Sequence, residues 1–213
     1  MKSFILKVMY SLIVRWFLKL IVGVKFDNAD FLKDIPQFII VANHNSHLDT
    51  MTLMASVPSS VLAMVKPVAA KDHFGKTKFS TWLSNTFINT LLINRRRDKV
   101  NLENDPIHNM VTAIDEGYSL ILFPEGTRGE PEKEQKLKAG IGLVLQQRPN
   151  IQIVPAYMKG MGKAMPKGDS LIIPFNSRLV YGKPKKIIFE SIEDILSQID
   201  NDFMRLRTIA NNR

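Results

Sequence analysis

The sequence contains no cysteine. This absence excludes a disulfide framework, a thiolate nucleophile and a cysteine-ligated zinc site. The most apolar segment, residues 4–24, also lacks a long charge-free run: the longest is seven residues, 8–14. A membrane-spanning helix requires roughly 18 to 20 such residues. Because 45% of the 213 residues are nevertheless hydrophobic, the chain is expected to fold around a sizeable core.

Acidic residues are scarce beside basic ones, with 20 Asp and Glu against 29 Lys and Arg and a net charge of +9. This excess predicts an anionic partner, either nucleic acid or acidic lipid. Residues 1–25 contain five cations and no acidic residue, and Lys7, Ser11, Arg15 and Lys19 recur there every four positions. The pattern is typical of an amphipathic helix in a membrane interface, with packing on the protein's own core as the alternative. We therefore predict a phospholipid surface, and no nucleic acid, as the partner.

Apolar runs of strand length alternate with helical patterns along the rest of the chain. Strands or extended segments are predicted at residues 37–42, 60–65, 68–70, 87–93, 118–123, 151–155, 170–181 and 186–189. Helices are predicted near residues 47–55, 78–85, 101–116, 138–147 and 191–210, with a late start or kink at Pro106. The alternation favours an α/β fold with a mixed, largely buried sheet flanked by helices. We divide the chain into a membrane-associating segment, 1–25, and one α/β domain, 26–213.

The sequence Asn-His-Asn-Ser-His-Leu-Asp at residues 43–49 directly follows the first buried strand. A strand-to-helix junction at this point lets His44 and Asp49 converge. A carboxylate bonded to one ring nitrogen fixes the tautomer and leaves the other nitrogen free to accept a proton. These two residues are therefore candidates for a general base and its partner.

Two other interpretations of residues 43–49 remain open. Ser46 and Asp49 fit the S-x-x-[DE] capping box that begins many helices, a role that is compatible with catalysis. His44, His47 and Asp49 are also metal-ligand types, but the spacing is not H-E-x-x-H and no obvious further ligand set follows.

Two later strand ends carry groups suited to a phosphate. Arg95 and Arg128 offer planar donor forks for phosphate oxygens. Gly126 permits close approach of the backbone, and the Thr127 hydroxyl adds a donor. A base beside such a loop indicates a substrate whose phosphate lies a few bonds from the reacting hydroxyl. A solvated basic turn near Arg95 and an ordinary turn after the strand at 118–123 are the simpler interpretations.

Taken in order, four blocks resemble the glycerolipid acyltransferases, the lysophospholipid or 1-acylglycerol-3-phosphate acyltransferase family. They are Asn-His-x-Ser-x-x-Asp at 43–49, Ile-Asn-Arg at 93–95, Phe-Pro-Glu-Gly-Thr-Arg at 123–128 and Ile-Val-Pro at 153–155. The resemblance implies transfer of a fatty acyl group from an acyl-carrier-protein or acyl-CoA thioester to a lysophospholipid hydroxyl, with 1-acyl-sn-glycerol 3-phosphate as the expected acceptor. It further implies the cytoplasmic face of a membrane, no metal and no other cofactor.

The same resemblance implies a role for each matching residue. His44 would be the general base and Asp49 its orienting partner, and Lys71 would be a candidate to stabilise the oxyanion. Residues 153–155 would wall a substrate pocket, and Glu125 would brace an arginine. The acceptor's phosphate would be held by Arg95, Glu125, Gly126, Thr127 and Arg128. Asn94 and Gly129 depart from the Asp and Ser that many relatives carry, which leaves the acceptor more open than the reaction.

Other functions predict different behaviour. A different acceptor, such as glycerol 3-phosphate or another lysolipid, would use the same groups. A His-dependent ester hydrolase would release free fatty acid without an acceptor. A basic nucleic-acid-binding module would have no use for the apolar residues 4–24.

Overall fold

The central strand of the molecule is β2 (Phe38–Ala42), whose five side chains are all buried. The structure, a computed structural model, describes residues 2–71, 89–130, 133–165 and 172–212. Within them one sheet has the strand order β1-β7-β6-β2-β5-β3-β4. The other strands are β1 (Val24–Phe26), β3 (Val65–Ala70), β4 (Leu91–Ile93), β5 (Ser119–Leu122), β6 (Gln152–Lys159) and β7 (Ser177–Tyr181).

The direction of the strands decides where polar groups gather. Strands β4, β3, β5, β2 and β6 run parallel to one another, so their carboxyl ends meet at one edge of the sheet. Strand β7 runs antiparallel to β6 and parallel to β1. The predicted mixed, largely buried sheet flanked by helices is therefore confirmed. In such sheets, ligands bind beyond the carboxyl ends of the strands.

Each face of the sheet is covered by its own hydrophobic cluster. On one face Phe38, Ile40 and Ala42 pack with the N-terminal helix and α1 (Asp49–Ser56). On the other face Ile39 and Val41 pack with three helices, namely α2 (Pro106–Asp115), α3 (Gly140–Gln147) and α5 (Ile192–Asn212). The short helix α4 (Met161–Ala164) follows β6. Alternate residues of β2 thus enter opposite clusters, which explains its continuous apolar sequence.

The N-terminal helix is α-helical at Lys2–Val8 and Arg15–Phe17 and π-helical at Met9–Val14 and Leu18–Val22. Its buried side chains recur every four residues: Leu6, Tyr10, Val14, Leu18 and Val22. In an α-helix of 3.6 residues per turn, each four-residue step would drift by about 40°. The wider π turns compensate for that drift and keep the five side chains on one face. Gly23, with φ of 83°, ends the helix.

The opposite side of the N-terminal helix is apolar and exposed. Its exposed large side chains are Phe4, Val8, Leu12, Ile13, Trp16, Leu20 and Ile21. The helix therefore packs on the core by one face and presents hydrophobic surface on the other. None of the helices within the described ranges has the combined length and apolarity that crossing a bilayer demands. The division into segments 1–25 and 26–213 stays a prediction.

Two predicted strands are wrong, and the reasons are local. Residues 60–65 form a turn and the 3₁₀ segment Leu62–Met64, and only Val65 begins β3. Residues 186–189 form no strand, because the backbone pairing of Lys185 with Ile153 is a single bridge. The helix predicted at 78–85 lies outside the described residues. The late helix start is confirmed: Asp105 caps α2 by accepting hydrogen bonds from the N–H groups of Ile107 and His108.

Candidate active site

His44 and Asp49 meet at the carboxyl edge of the sheet, just beyond β2. The Nδ1 atom of His44 lies 2.9 Å from Oδ2 of Asp49. The Asp49 carboxylate is almost fully buried, whereas the imidazole is 19% exposed. A carboxylate at this position accepts the Nδ1–H, so the Nε2 atom is left as the proton acceptor. The predicted convergence of these two side chains is thus present in the structure.

Asp49 also organises the turn between β2 and α1. Its Oδ2 atom accepts hydrogen bonds from the N–H groups of Asn45, at 2.7 Å, and Ser46, at 2.8 Å. The contact with Ser46 is the backward half of a capping box. The Ser46 hydroxyl does not complete the box: it accepts from the N–H of Leu48 and donates to the carbonyl of Met165. One carboxylate therefore holds both the helix start and the histidine.

Asn43 ties the strand end to the neighbouring strand β6. Its side-chain amide donates to the carbonyl of Met158 at 2.9 Å and accepts from the N–H of Met158 at 2.7 Å. β2 ends at Ala42, and beyond it the Asn43 side chain makes the hydrogen bonds to β6 that a backbone would otherwise make. The peptide that precedes His44 is therefore fixed.

The segment 123–129 after β5 holds His44 on three sides. The ring of Phe123 stacks on the imidazole with centroids 4.0 Å apart and planes 17° apart. The N–H of Gly129 donates to the carbonyl of His44 at 2.9 Å. The N–H of His44 donates to Oε2 of Glu125 at 3.2 Å. These contacts bridge 79 to 85 sequence positions and arise because β5 lies beside β2.

Glu125 is buried, with 6% of its surface exposed. Burial raises the pKa of its carboxyl to about 8; the Asp49 charge adds to this rise, and hydrogen bonds from His44 N–H and Gln135 oppose it. The sequence predicts that Glu125 braces an arginine, whereas the structure gives its carboxylate two other partners, His44 and Gln135. A group with this pKa is mainly uncharged at pH 7.

The other members of the 125–128 block face outward. Gly126 and Thr127 are exposed, and the φ of 71° at Gly126 suits the tight turn closed by its N–H on the Phe123 carbonyl. The Arg128 guanidinium contacts the ring of His47. Burial lowers the pKa of Arg128, and the nearby Asp49 charge opposes that shift. Arg128 thus lies close to the His44–Asp49 pair.

Arg95 and Lys71 approach the same edge from the outer strands. Arg95 follows β4 by two residues, is exposed, and reaches the carbonyl of Gly126 at 3.5 Å. Lys71 follows β3 directly and is also exposed. When the pairing of β3 with β5 and of β5 with β2 is extended past the strand ends, Lys71 lies opposite His44, two strands away. Two strand spacings amount to about 10 Å, so its oxyanion role stays a prediction.

The fourth block lies inside the sheet. Residues 153–155 belong to β6, are buried and pair with residues 39–41 of β2. They support the strand that leads to His44, and their role as a pocket wall stays a prediction. Within the described ranges, no group of three or more His, Cys, Asp or Glu side chains could hold a metal ion.

Sequence reasoning missed several residues around the base. Phe123 lies within the third block, but its sequence does not reveal that its ring stacks on His44. Gln135 lies in an irregular polar stretch, where no periodicity marks a partner for Glu125. Lys138 also lies against Gly126, since a Cβ added there would be 2.8 Å from the lysine nitrogen. The Lys-Ala-Gly at 138–140 was the available signal for this further cation.

Comparisons with known proteins show which family the chain resembles. A sequence model of the acyltransferase family matches residues 23–159. The chain is 26% identical over 135 residues to the protein named Taffazin of Dictyostelium discoideum, covering 60% of this chain and 47% of that protein. It is 24% identical over 162 residues to the chloroplastic 1-acyl-sn-glycerol-3-phosphate acyltransferase of Arabidopsis thaliana, covering 74% and 43%. The chain therefore spans about half the length of these curated relatives.

A solved structure has the same fold. The crystal structure of the 1-acyl-sn-glycerophosphate acyltransferase PlsC from Thermotoga maritima matches with a TM-score of 0.78 and 20% identity. The match covers 100% of this chain and 82% of that one. The family model spans well over half of the chain and includes His44, Asp49 and the segment 123–129. The chain therefore belongs to the acyltransferase family.

Proposed function

We propose that the protein is a glycerolipid O-acyltransferase that transfers a fatty acyl group from an acyl-carrier-protein or acyl-CoA thioester to a lysophospholipid hydroxyl. The proposed acceptor is 1-acyl-sn-glycerol 3-phosphate, and the product is phosphatidic acid. The observation that carries the proposal is the 2.9 Å contact between His44 and Asp49, beside a loop that presents Arg128. The name of the Arabidopsis relative agrees with this acceptor.

The chemical step is a direct transfer. Nε2 of His44 takes the proton of the acceptor hydroxyl as its oxygen attacks the thioester carbonyl carbon. The tetrahedral intermediate then collapses, the carbon–sulfur bond breaks, and the thiolate leaves with the proton that His44 held. Asp49 stabilises the imidazolium that forms between these events. Lys71 is the proposed donor to the oxyanion.

The phosphate site positions the hydroxyl and adds no bond-making chemistry. Arg128 lies against His47, which is three residues after the base His44, and Arg95 reaches the Gly126 carbonyl. Both guanidinium groups can hold phosphate oxygens while the sn-2 hydroxyl lies near His44. Such positioning converts an encounter between two molecules into a reaction within one complex.

A donor-by-acceptor activity matrix tests the proposed function. Radiolabelled acyl-carrier protein and acyl-CoA are each combined with 1-acyl-sn-glycerol 3-phosphate, glycerol 3-phosphate and uncharged lysolipids. We expect transfer to the phosphate-bearing lysolipid, and we expect EDTA to leave the rate unchanged. Release of free fatty acid without an acceptor, or loss of activity with EDTA, would support a hydrolase instead.

Replacing Arg128 by alanine is expected to raise KM for the acceptor by about 10- to 100-fold. Hydrogen bonds to charged groups contribute on the order of 1.5–3 kcal/mol, and every 1.4 kcal/mol is tenfold. Steady-state kinetics at fixed donor concentration measure the change. The matched control is Arg148→Ala, which also removes a guanidinium, but one that is paired with Asp115, the last residue of α2. An unchanged KM in Arg128→Ala would exclude Arg128 from the phosphate site.

We further propose that the exposed face of the N-terminal helix lies in the membrane surface. That face presents Leu12, Trp16 and Leu20 to solvent, each more than half exposed. Lys7 and Lys19 each lie one residue before an exposed apolar residue of this face, and their side chains can meet acidic head groups. The other face remains packed on the sheet, so docking requires no unfolding.

Changing Leu12, Trp16 and Leu20 together to serine is expected to weaken vesicle binding by at least about 100-fold. Each apolar side chain transferred out of water contributes on the order of 1–2 kcal/mol. Co-sedimentation with vesicles that contain acidic phospholipid measures the change. Val100 and Ile188, which are exposed elsewhere, provide the control when changed to serine. Equal binding by both variants would contradict the proposed docking face.

A further inference from the structure

Glu125 lies on the other side of the His44 backbone from the imidazole ring. The imidazole stacks on Phe123, which belongs to the cluster beneath the N-terminal helix. The Glu125 side chain instead lines a cleft together with Asn43, Tyr157 and Phe203. Phe203 and Tyr157 belong to the cluster on the opposite face of the sheet. The carboxyl of Glu125 and the ring of His44 therefore lie on different sides of the same peptide.

The contacts of Glu125 are directed at that peptide. Its Oε2 atom accepts the N–H of His44 at 3.2 Å and a hydrogen bond from the Gln135 amide. Gly129, four residues later, holds the carbonyl of His44 at 2.9 Å. The two contacts fix both backbone polar groups of His44, its N–H and its carbonyl. We infer that Glu125 is a positioning residue that holds the backbone of His44, and that it is not a ligand of the acceptor's phosphate.

This inference rests on the proposed function in taking His44 as the base. It divides the block 123–128 into two sets. Phe123 and Glu125 are buried and hold His44, whereas Gly126, Thr127 and Arg128 lie toward solvent. The second set includes the guanidinium of Arg128, a donor fork that suits phosphate oxygens, which makes it the better binding site.

The ionisation of Glu125 supports the division. Burial, with the charge of Asp49, raises its pKa to about 8 against the opposing hydrogen bonds of His44 and Gln135. The other charged groups that line its cleft are Lys133, Glu134, Asp200 and Arg207. Because the folded-state pKa lies above the usual 4.5, folding binds a proton. The contribution to stability is full below about pH 4.5, declines as pH rises, and is lost above about pH 8.

The test compares Glu125→Ala, Glu125→Gln and Arg128→Ala in the full chain. The glutamine keeps an oxygen that can accept the His44 N–H but cannot ionise. Three quantities are measured: steady-state kinetics, calorimetric binding of 1-acyl-sn-glycerol 3-phosphate, and the ¹⁵N ring signals of His44. The ring signals are assigned from the spectrum of a His44→Asn variant.

We expect Glu125→Ala to shift the His44 ring signals and to lower kcat by roughly 10- to 100-fold, because small misplacement of a catalytic group is costly. Its acceptor affinity should stay within about threefold. Glu125→Gln should restore both the signals and most of kcat. Arg128→Ala should do the reverse of Glu125→Ala, with weaker acceptor binding and unmoved His44 signals. Thermal unfolding of the wild type should show declining stability between about pH 5 and 8, and Glu125→Gln should not.

Several results would overturn the inference. Loss of acceptor affinity by tenfold or more in Glu125→Ala, with His44 signals unmoved, would make Glu125 a phosphate-site residue. A glutamine variant as impaired as the alanine variant would show that the carboxyl group is required for more than its acceptor oxygen. If the alanine variant does not fold, the thermal unfolding of Glu125→Gln provides the test. A loss of stability between about pH 5 and 8 that persists in this variant would contradict the inference. If the wild type transfers no acyl group but its His44 signals respond as described, the proposed function fails and the positioning role stands.

Discussion

Replacement of His44 by alanine is expected to lower kcat for acyl transfer by about 10² to 10⁴ while KM for the acceptor changes little. General base catalysis contributes a factor of this size. The imidazole is the group at the sheet edge whose free nitrogen can take the hydroxyl proton, because Asp49 occupies the other nitrogen. In the proposed mechanism separate groups hold the acceptor, so its binding should persist. Initial rates with radiolabelled donor and saturating acceptor measure kcat.

The His44→Asn variant makes the result sharper. An asparagine amide can still donate to Asp49, so the buried carboxylate keeps its partner while the ring Nε2 is lost. The matched control is His108→Ala, which removes an exposed histidine from α2. A His44→Asn protein that retains wild-type kcat, with unchanged vesicle binding and thermal unfolding, would show that another group removes the proton.

The local parts of this site could be predicted from the sequence. The strand at 38–42 ends where the polar block begins, and five residues across a strand-to-helix turn bring His44 and Asp49 together. Alternation of strands and helices gave the fold class, because each type has its own apolar period. These features depend on short stretches of chain, and short-range geometry governs them.

The contacts made across the sheet could not be predicted in this way. The bond between His44 and Glu125 joins residues 81 apart and exists because β5 lies next to β2 in the strand order. Gln135 reaches Glu125 from an irregular segment with no period. The buried face of the N-terminal helix could not be predicted either. Leu6, Tyr10 and Val14 recur every four residues, and they lie on one face only because the helix contains π turns.

A further consequence is that the block 123–128 serves two purposes that its sequence does not separate. Its buried positions, Phe123 and Glu125, hold His44, whereas the exposed Thr127 and the half-buried Arg128 lie where a phosphate can approach. One turn therefore both holds His44 and presents Arg128 at the edge of the site. In the proposed mechanism such a turn sets the distance between the reacting hydroxyl and the phosphate of the acceptor, which would favour lysophospholipids with a fixed number of bonds between them.

The second large effect is expected for Asp49→Asn, which should lower kcat by about 10³ to 10⁴. In a Ser-His-Asp triad the same change costs about 10⁴, because the histidine adopts the wrong tautomer. Here an amide nitrogen facing His44 would place the ring proton on Nε2, and an amide oxygen would leave the imidazolium without its counter-charge. Single-turnover kinetics with bound acceptor measure the chemical step directly.

The protein contains a close control for this change. Asp194 accepts the N–H groups of Glu190 and Ser191 at 3.2 and 3.0 Å, four and three residues before it, as Asp49 does with Asn45 and Ser46. Asp194 lies in the first turn of α5, and these contacts include no histidine. Asp194→Asn should therefore alter only the hydrogen bonds at the start of α5 and leave kcat unchanged. Equal losses of kcat in the two variants, or full activity in Asp49→Asn, would show that Asp49 acts only as a cap for α1.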